Sequence, residues 1–209
     1  MHRSAIALAL GLSATLATYP VLAAKDTLLS FSYVAQENCI SAPGFTPDFD
    51  PINYAGIGWS DFHGTVVFDL SNRKASWTSE GTFQILPFGS NTGQGQPSTQ
   101  YPASFWITPS PCVFDFNLYA DLSFVLLSRP AGCSFVTSIG PNAGHGGTVF
   151  DVNFVGQFAP DMKSYIAGHA GYNQQQQPIV QTQRFENGFE QKRICTSILH
   201  AVKVEHGKE

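Results

Sequence analysis

The sequence predicts an all-β protein: a single antiparallel β-barrel or strongly curled β-sandwich of about 8–10 strands, tied by disulfides. Three observations carry that prediction. Apolar and polar residues alternate over long stretches, the period-two signature of a strand with one buried face. The composition sets 17 Phe, 19 Gly and 13 Pro against two Met, which suits twisted sheets joined by tight turns. Beyond the first two dozen residues no segment sustains the 3.6-residue apolar rhythm of a helix.

The chain opens with Met1-His2-Arg3, an apolar run over 5–17 and a small-residue exit at Val21-Leu22-Ala23. This is the grammar of a secretory signal peptide, residues 1–23, followed by one all-β domain over 24–209. Export places the protein in the periplasm or outside the cell. It also gives Cys39, Cys112, Cys133 and Cys195 an oxidising setting. Four cysteines allow three pairings. Cys112 and Cys133 flank the strongest β segment, and Cys39 and Cys195 stand near the two ends of the domain. The favoured pairing is therefore Cys39–Cys195 with Cys112–Cys133, the first tying the first strand to the last. No two cysteines have the close spacing of a redox or zinc motif.

The first strand is expected over 28–35. An aromatic, Pro- and Gly-rich loop over 41–61 follows, with Phe45, Phe49, Tyr54 and Trp59, and reads as a lid or plug across an open sheet end. Strands are expected over 64–70, 74–78 and 82–88, the first two joined at Ser71-Asn72. A polar loop over 89–102 leads to a strand over 104–108. From Cys112, Phe114, Phe116, Leu118, Ala120, Leu122, Phe124 and Leu126 fall on alternate positions, either as one long strand or as two joined by a bulge near Ala120-Asp121. Strands over 134–139 and 147–158 flank a turn at Asn142-Ala143-Gly144. In the second, Phe150, Val152, Phe154 and Phe158 are expected to point one way. Strands over 164–168, 179–185 and 189–198 complete the set, with a Gln-rich insert over 172–178. Asn187-Gly188 is the strongest hairpin signal. His200 and His206 are assigned to a frayed tail.

A net charge of −4 with no basic cluster excludes nucleic acid and anionic membrane as main partners. No later apolar stretch approaches the roughly 18 residues of a spanning helix. Gly-x-Ser-x-Gly, His-Glu-x-x-His, phosphate-loop and dinucleotide motifs are all missing. No cofactor or metal is expected, since the histidines lack ligand spacing and Asp48 and Asp50 match no calcium loop. Asp115 and Asp121 share the polar register of one segment. They orient a polar ligand if that register faces a lumen and are ordinary solvated groups if it faces outward; the outward reading is favoured. Tyr54, Trp59, Asp115, Tyr119 and Asp121 form the candidate ligand-binding set, and Trp77 and Trp106 join Trp59 as an aromatic platform or as core.

The segments Phe154–Ser164, Gln183–Gly188 and Arg193-Ile194-Cys195 resemble small exported bacterial β-barrel proteins of uncharacterised function. In these a Gly-x-x-x-x-Asp-x-Lys hairpin precedes a last strand carrying a cysteine. Their barrels are similar to those of calycins and allene oxide cyclase. The resemblance implies a closed antiparallel barrel and transfers no active-site residue. The leading expectation is a non-enzymatic binding or structural domain holding a small apolar or aromatic ligand. The alternatives are a cyclase- or isomerase-type barrel enzyme and a surface or host-interaction protein. A lumen lined by Asp and Tyr favours the enzyme, an apolar lumen favours carriage, and a filled one favours interaction.

Overall fold

The computed structural model describes residues 27–43, 56–87, 104–139, 143–169, 179–186, 188 and 190–204. The leader, Tyr54 and most of the 41–61 loop, the 89–102 loop, the Gln-rich insert and His206 lie outside the described residues. Among the described residues are twelve strands and no helix. They are β1 (Leu28–Pro43), β2 (Gly56–Asp69), β3 (Lys74–Pro87), β4 (Ser104–Ile107), β5 (Cys112–Leu118), β6 (Ser123–Ser128), β7 (Cys133–Ile139), β8 (Gly146–Phe150), β9 (Asn153–Phe158), β10 (Ser164–Gly168), β11 (Gln181–Phe185) and β12 (Glu190–Lys203).

Four long strands form one wall in the order β12-β1-β2-β3. The eight short strands complete the circle in end-to-end pairs. β3 pairs with β5 through Lys74–Trp77 and with β4 through Glu80–Phe83. Likewise β12 pairs with β11 at its start and with β10 near its end. With β4/β5, β6/β7, β8/β9 and β10/β11 each taken as one interrupted strand, the chain is an eight-stranded up-and-down antiparallel barrel. The ladder between β1 and β12 closes it, leaving no free edge along the seam. The expected barrel is present, with twelve strands where about 8–10 were expected because four staves are broken.

The breaks follow from sequence. Pro109 and Pro111 remove ladder donors between β4 and β5. Pro130 and Gly132, the latter at φ 68°, separate β6 from β7, and Asp151 at φ 62° separates β8 from β9. Side chains replace part of the lost ladder. Thr108 Oγ1 accepts from the Ser79 N–H at 2.9 Å, Asn153 Oδ1 from Ser128 at 3.1 Å and Ser197 Oγ from His169 at 3.1 Å.

Several expectations are corrected. The segment from Cys112 is neither one strand nor two joined by a bulge. It is a β5–β6 hairpin, turned at Tyr119–Leu122 with Leu122 at φ 66°. The apolar alternation runs straight through that turn, which is why it reads as one strand. The segment 147–158 is two strands with different neighbours, and the kink at Asp151 shifts the inward register, so Val149 rather than Phe150 is buried, as are Phe154 and Phe158. Residues 74–87 are one strand, and β2 begins at Gly56, which places Trp59 in a strand rather than a loop. His200 belongs to β12, opposite Val34 and Ile166.

The two halves of the barrel are filled differently. At the end carrying the short β2–β3, β5–β6 and β9–β10 turns, Phe31, Phe68, Phe116, Phe124, Phe158 and Tyr165 form one aromatic cluster. Gly156 makes room for it: a Cβ there would stand 2.2 Å from the Phe124 ring. Leu122 and Met162 share a turn geometry, each at positive φ, and both pack onto the cluster, Leu122 in part and Met162 fully buried. Two disulfides brace the wall. Cys39–Cys195 joins β1 to β12 at directly opposed positions with Cα atoms 4.1 Å apart, and Cys112–Cys133 joins the starts of β5 and β7 at 5.1 Å.

Candidate ligand-binding site

The other half of the barrel is hollow, with a cavity of about 380 Å³. The cause lies in the inward register. Where the filled half has Phe, Leu and Tyr, this half points Gly58, Ser60, Ser79, Thr137, Gly146 and the Cys39 sulfur at the lumen. An eight-stranded barrel is just wide enough for large side chains to fill, so small ones leave room for one small molecule. Trp77, Phe114 and Phe154 make the floor, Trp77 stacked on Phe154 with ring centroids 4.6 Å apart. Tyr33 braces the floor, accepting from Trp77 Nε1 and donating to the Thr78 carbonyl at 3.1 Å. Burial pushes its hydroxyl pKa up, so it stays protonated. Trp59, Phe62, Trp106 and Phe135 add further aromatic wall.

Three polar groups on this wall have bonding capacity to spare. Ser79 Oγ is buried beside the Tyr33 hydroxyl and makes no hydrogen bond of good geometry among the described residues. Arg193 donates from Nε to Gln181 Oε1 at 2.9 Å and from Nη1 to Gln183 Oε1 at 3.1 Å. Both acceptors are neutral amides, and among the described residues no carboxylate lies at ion-pair distance from the guanidinium. Burial lowers the Arg193 pKa and Glu37 partly offsets this. Glu37 lines the same wall; among the described residues its carboxylate meets the oxidised Cys39 sulfur at 3.4 Å, which carries no proton, and His169 Nδ1 at 3.9 Å.

Arg193 also sets the state of His169. Because the guanidinium only donates, Gln181 must turn its oxygen to Arg193 and its NH₂ to His169 Nε2, 2.8 Å away. Nε2 therefore accepts and Nδ1 carries the proton, toward Ser197 Oγ at 3.1 Å. Burial lowers the His169 pKa; the Glu37 charge opposes this and that of Arg193 adds to it. In the unfolded chain His169 titrates near its ordinary 6.5. As pH falls through that value the unfolded state takes up a proton that the folded state refuses, so stability drops. The urea midpoint should fall between pH 7.5 and 5.5, and His169→Gln should flatten that slope; an equal slope in the variant sinks the assignment.

Glu37, His169 and Cys195 bring a carboxylate oxygen, a ring nitrogen and a sulfur within 4.8 Å of one another. The sulfur is bonded to Cys39 and offers no thiolate, so the trio lacks the donor set of a metal site.

Of the residues selected from sequence, Trp59 lines the cavity. Asp115 projects from the outer wall, 51% exposed, paired with Lys74 and 3.8 Å from Arg129, and the hydrogen bond from Lys74 lowers its pKa. Tyr119 and Asp121 sit on the exposed turn at the filled end, where Asp121 accepts from Ser123 Oγ at 2.6 Å. The structure does not bring these three to the cavity, and Tyr54 lies outside the described residues. Glu37, Ser79 and Arg193 are cavity residues not selected from sequence. Their signal was a polar or charged residue on the inward register, Arg193 sharing that of Cys195, Leu199 and Ala201.

No family model, curated protein or solved structure matches the chain. Among the described residues no helix is long and apolar enough to cross a membrane.

Proposed function

We propose that the protein is an exported, non-enzymatic binding domain that holds one small apolar or aromatic molecule in the hollow half of its barrel. The observation that carries this is the contrast between a filled aromatic half and an aromatic-walled cavity of about 380 Å³ in the same barrel. That volume lies in the range of small-molecule pockets, roughly 300–1,000 Å³. The described lining residues include neither the Asp nor the Tyr expected of the enzyme reading, though Glu37, His145, Glu186 and Arg193 keep the lumen from being purely apolar. The leader-like N-terminus and two disulfides support export. The resemblance to calycin and allene-oxide-cyclase barrels contributes architecture alone.

The neutral fluorophore N-phenyl-1-naphthylamine tests the reading. It should bind one-to-one with a rise in emission and quench Trp59, Trp77 and Trp106. Ser79→Leu should fill part of the void and remove a hydroxyl that makes no well-formed hydrogen bond. We expect an unfolding midpoint equal to or above wild type, by up to about 1 kcal/mol, together with weaker probe binding. A protein that takes up no probe would defeat the proposal, as would a Ser79→Leu variant that binds it unchanged.

A further inference from the structure

We infer that the molecule carried in the cavity bears a single oxyanion head, a carboxylate or sulfonate on an apolar body, and that Arg193 receives it. This rests on the cavity being a binding site. Arg193 is fixed in place before any ligand arrives. Its Nε and Nη1 are held by Gln181 and Gln183, leaving Nη2 without a partner among the described residues. A guanidinium is charged at every physiological pH, and its planar fork matches an oxyanion. Holding it in a partly aromatic lumen with only amide hydrogen-bond partners is costly unless a negative charge comes closer than Glu37 does. A ligand oxyanion supplies it through charge-assisted bonds in a site of low polarity.

Ser79 Oγ is an independent sign of the same polarity. It is buried on the cavity wall beside the Tyr33 hydroxyl, without a well-formed hydrogen bond among the described residues and with a proton to donate. Glu37 and Glu186, the carboxylates among the described lining residues, set the limit on charge. The β1–β12 register puts Glu37 opposite Ser197, Cys39 opposite Cys195 and Ser41 opposite Arg193, so the carboxylate stands below the disulfide and Arg193 above it. A head at Arg193 is separated from Glu37 by that step, whereas a second anionic group on the ligand body would meet it. The class is therefore a monoanion with an apolar body, and dianions are rejected.

The test uses two probes that share one ring system. N-phenyl-1-naphthylamine has no charge, and 1-anilinonaphthalene-8-sulfonate adds one sulfonate. Wild type should bind the sulfonate at least roughly tenfold tighter. Arg193→Gln should lose the preference for the sulfonate, binding the two probes within about twofold of each other. Arg193→Lys, which keeps the charge and loses the fork, should fall between. Glu37→Gln should raise the preference for the sulfonate over the neutral probe severalfold. Thermal unfolding of each variant reports folding; if Arg193→Gln does not unfold cooperatively, the Arg193→Lys and Glu37→Gln arms decide. Neutral-probe binding equal to or tighter than sulfonate binding in wild type overturns the oxyanion head and leaves the apolar cavity standing. Binding of neither probe removes both.

Discussion

Phe68→Ala should cost about 3–5 kcal/mol of folding stability, the largest loss for any single side chain in the barrel. Phe68 is fully buried and meets five aromatic rings: Phe31, Phe116, Phe124, Phe158 and Tyr165, with centroids 4.9–5.7 Å away. Those rings come from β1, β5, β6, β9 and β10, so one truncation loosens contacts around the filled half. A domain of this size is stable by about 5–15 kcal/mol, and the variant should lose much of that margin in urea denaturation. Two neighbouring changes give the comparison its meaning. Phe62→Ala should cost less, because part of that ring already faces the cavity and has fewer packed atoms to lose. Tyr165→Phe should be neutral or stabilising by up to about 1 kcal/mol, since the Tyr165 hydroxyl is buried with no hydrogen-bond partner. If Phe68→Ala and Phe62→Ala lose the same stability, the division into a filled and a hollow half is wrong.

That division was only partly legible in the sequence. Strand periodicity is local, and it gave 164–168 with the bounds of β10 and found most of the other strands near their places. Where it erred, a turn preserved the alternation, as at Tyr119–Leu122, or one residue at positive φ shifted it, as at Asp151. Neither event changes composition enough to be seen. The barrel's closure was legible through Cys39 and Cys195, because a link between the first strand and the last has a natural place in a closed sheet. Which face is the lumen was not. Asp115 and Asp121 drew attention as paired carboxylates, yet alternation alone leaves the two faces of a strand equivalent until a neighbour fixes the register. Once Leu199, Ala201 and Cys195 are seen to be inward, Arg193 must be inward too, and a charge there is the anomaly that marks the cavity. The same logic applied to β2 and β3 exposes the small residues Gly58, Ser60 and Ser79 that leave the space open.

Replacing both Cys39 and Cys195 with Ala should cost about 2–5 kcal/mol, more than the same change at Cys112 and Cys133. The first bridge spans 156 residues and the second 21. Chain-entropy closure gives about 5 kcal/mol for the longer loop and about 3 kcal/mol for the shorter, as upper values. Position adds to the difference. Cys39–Cys195 sits in the seam between β1 and β12, the ladder that turns an open sheet into a barrel, whereas Cys112–Cys133 reinforces a wall already held by β3 and β6 on one side and β4 and β8 on the other. It also lies between Glu37 and Arg193 on the cavity wall, so opening the seam should disturb binding before it abolishes folding. Urea denaturation of the two double variants, with probe binding measured on each, separates these effects. The Cys39/Cys195 variant should show the lower midpoint and a larger loss of N-phenyl-1-naphthylamine affinity than its stability loss alone produces at room temperature. If it is as stable as wild type and binds equally well, the β1–β12 hydrogen bonds close the barrel unaided and the bridge is dispensable to both fold and cavity.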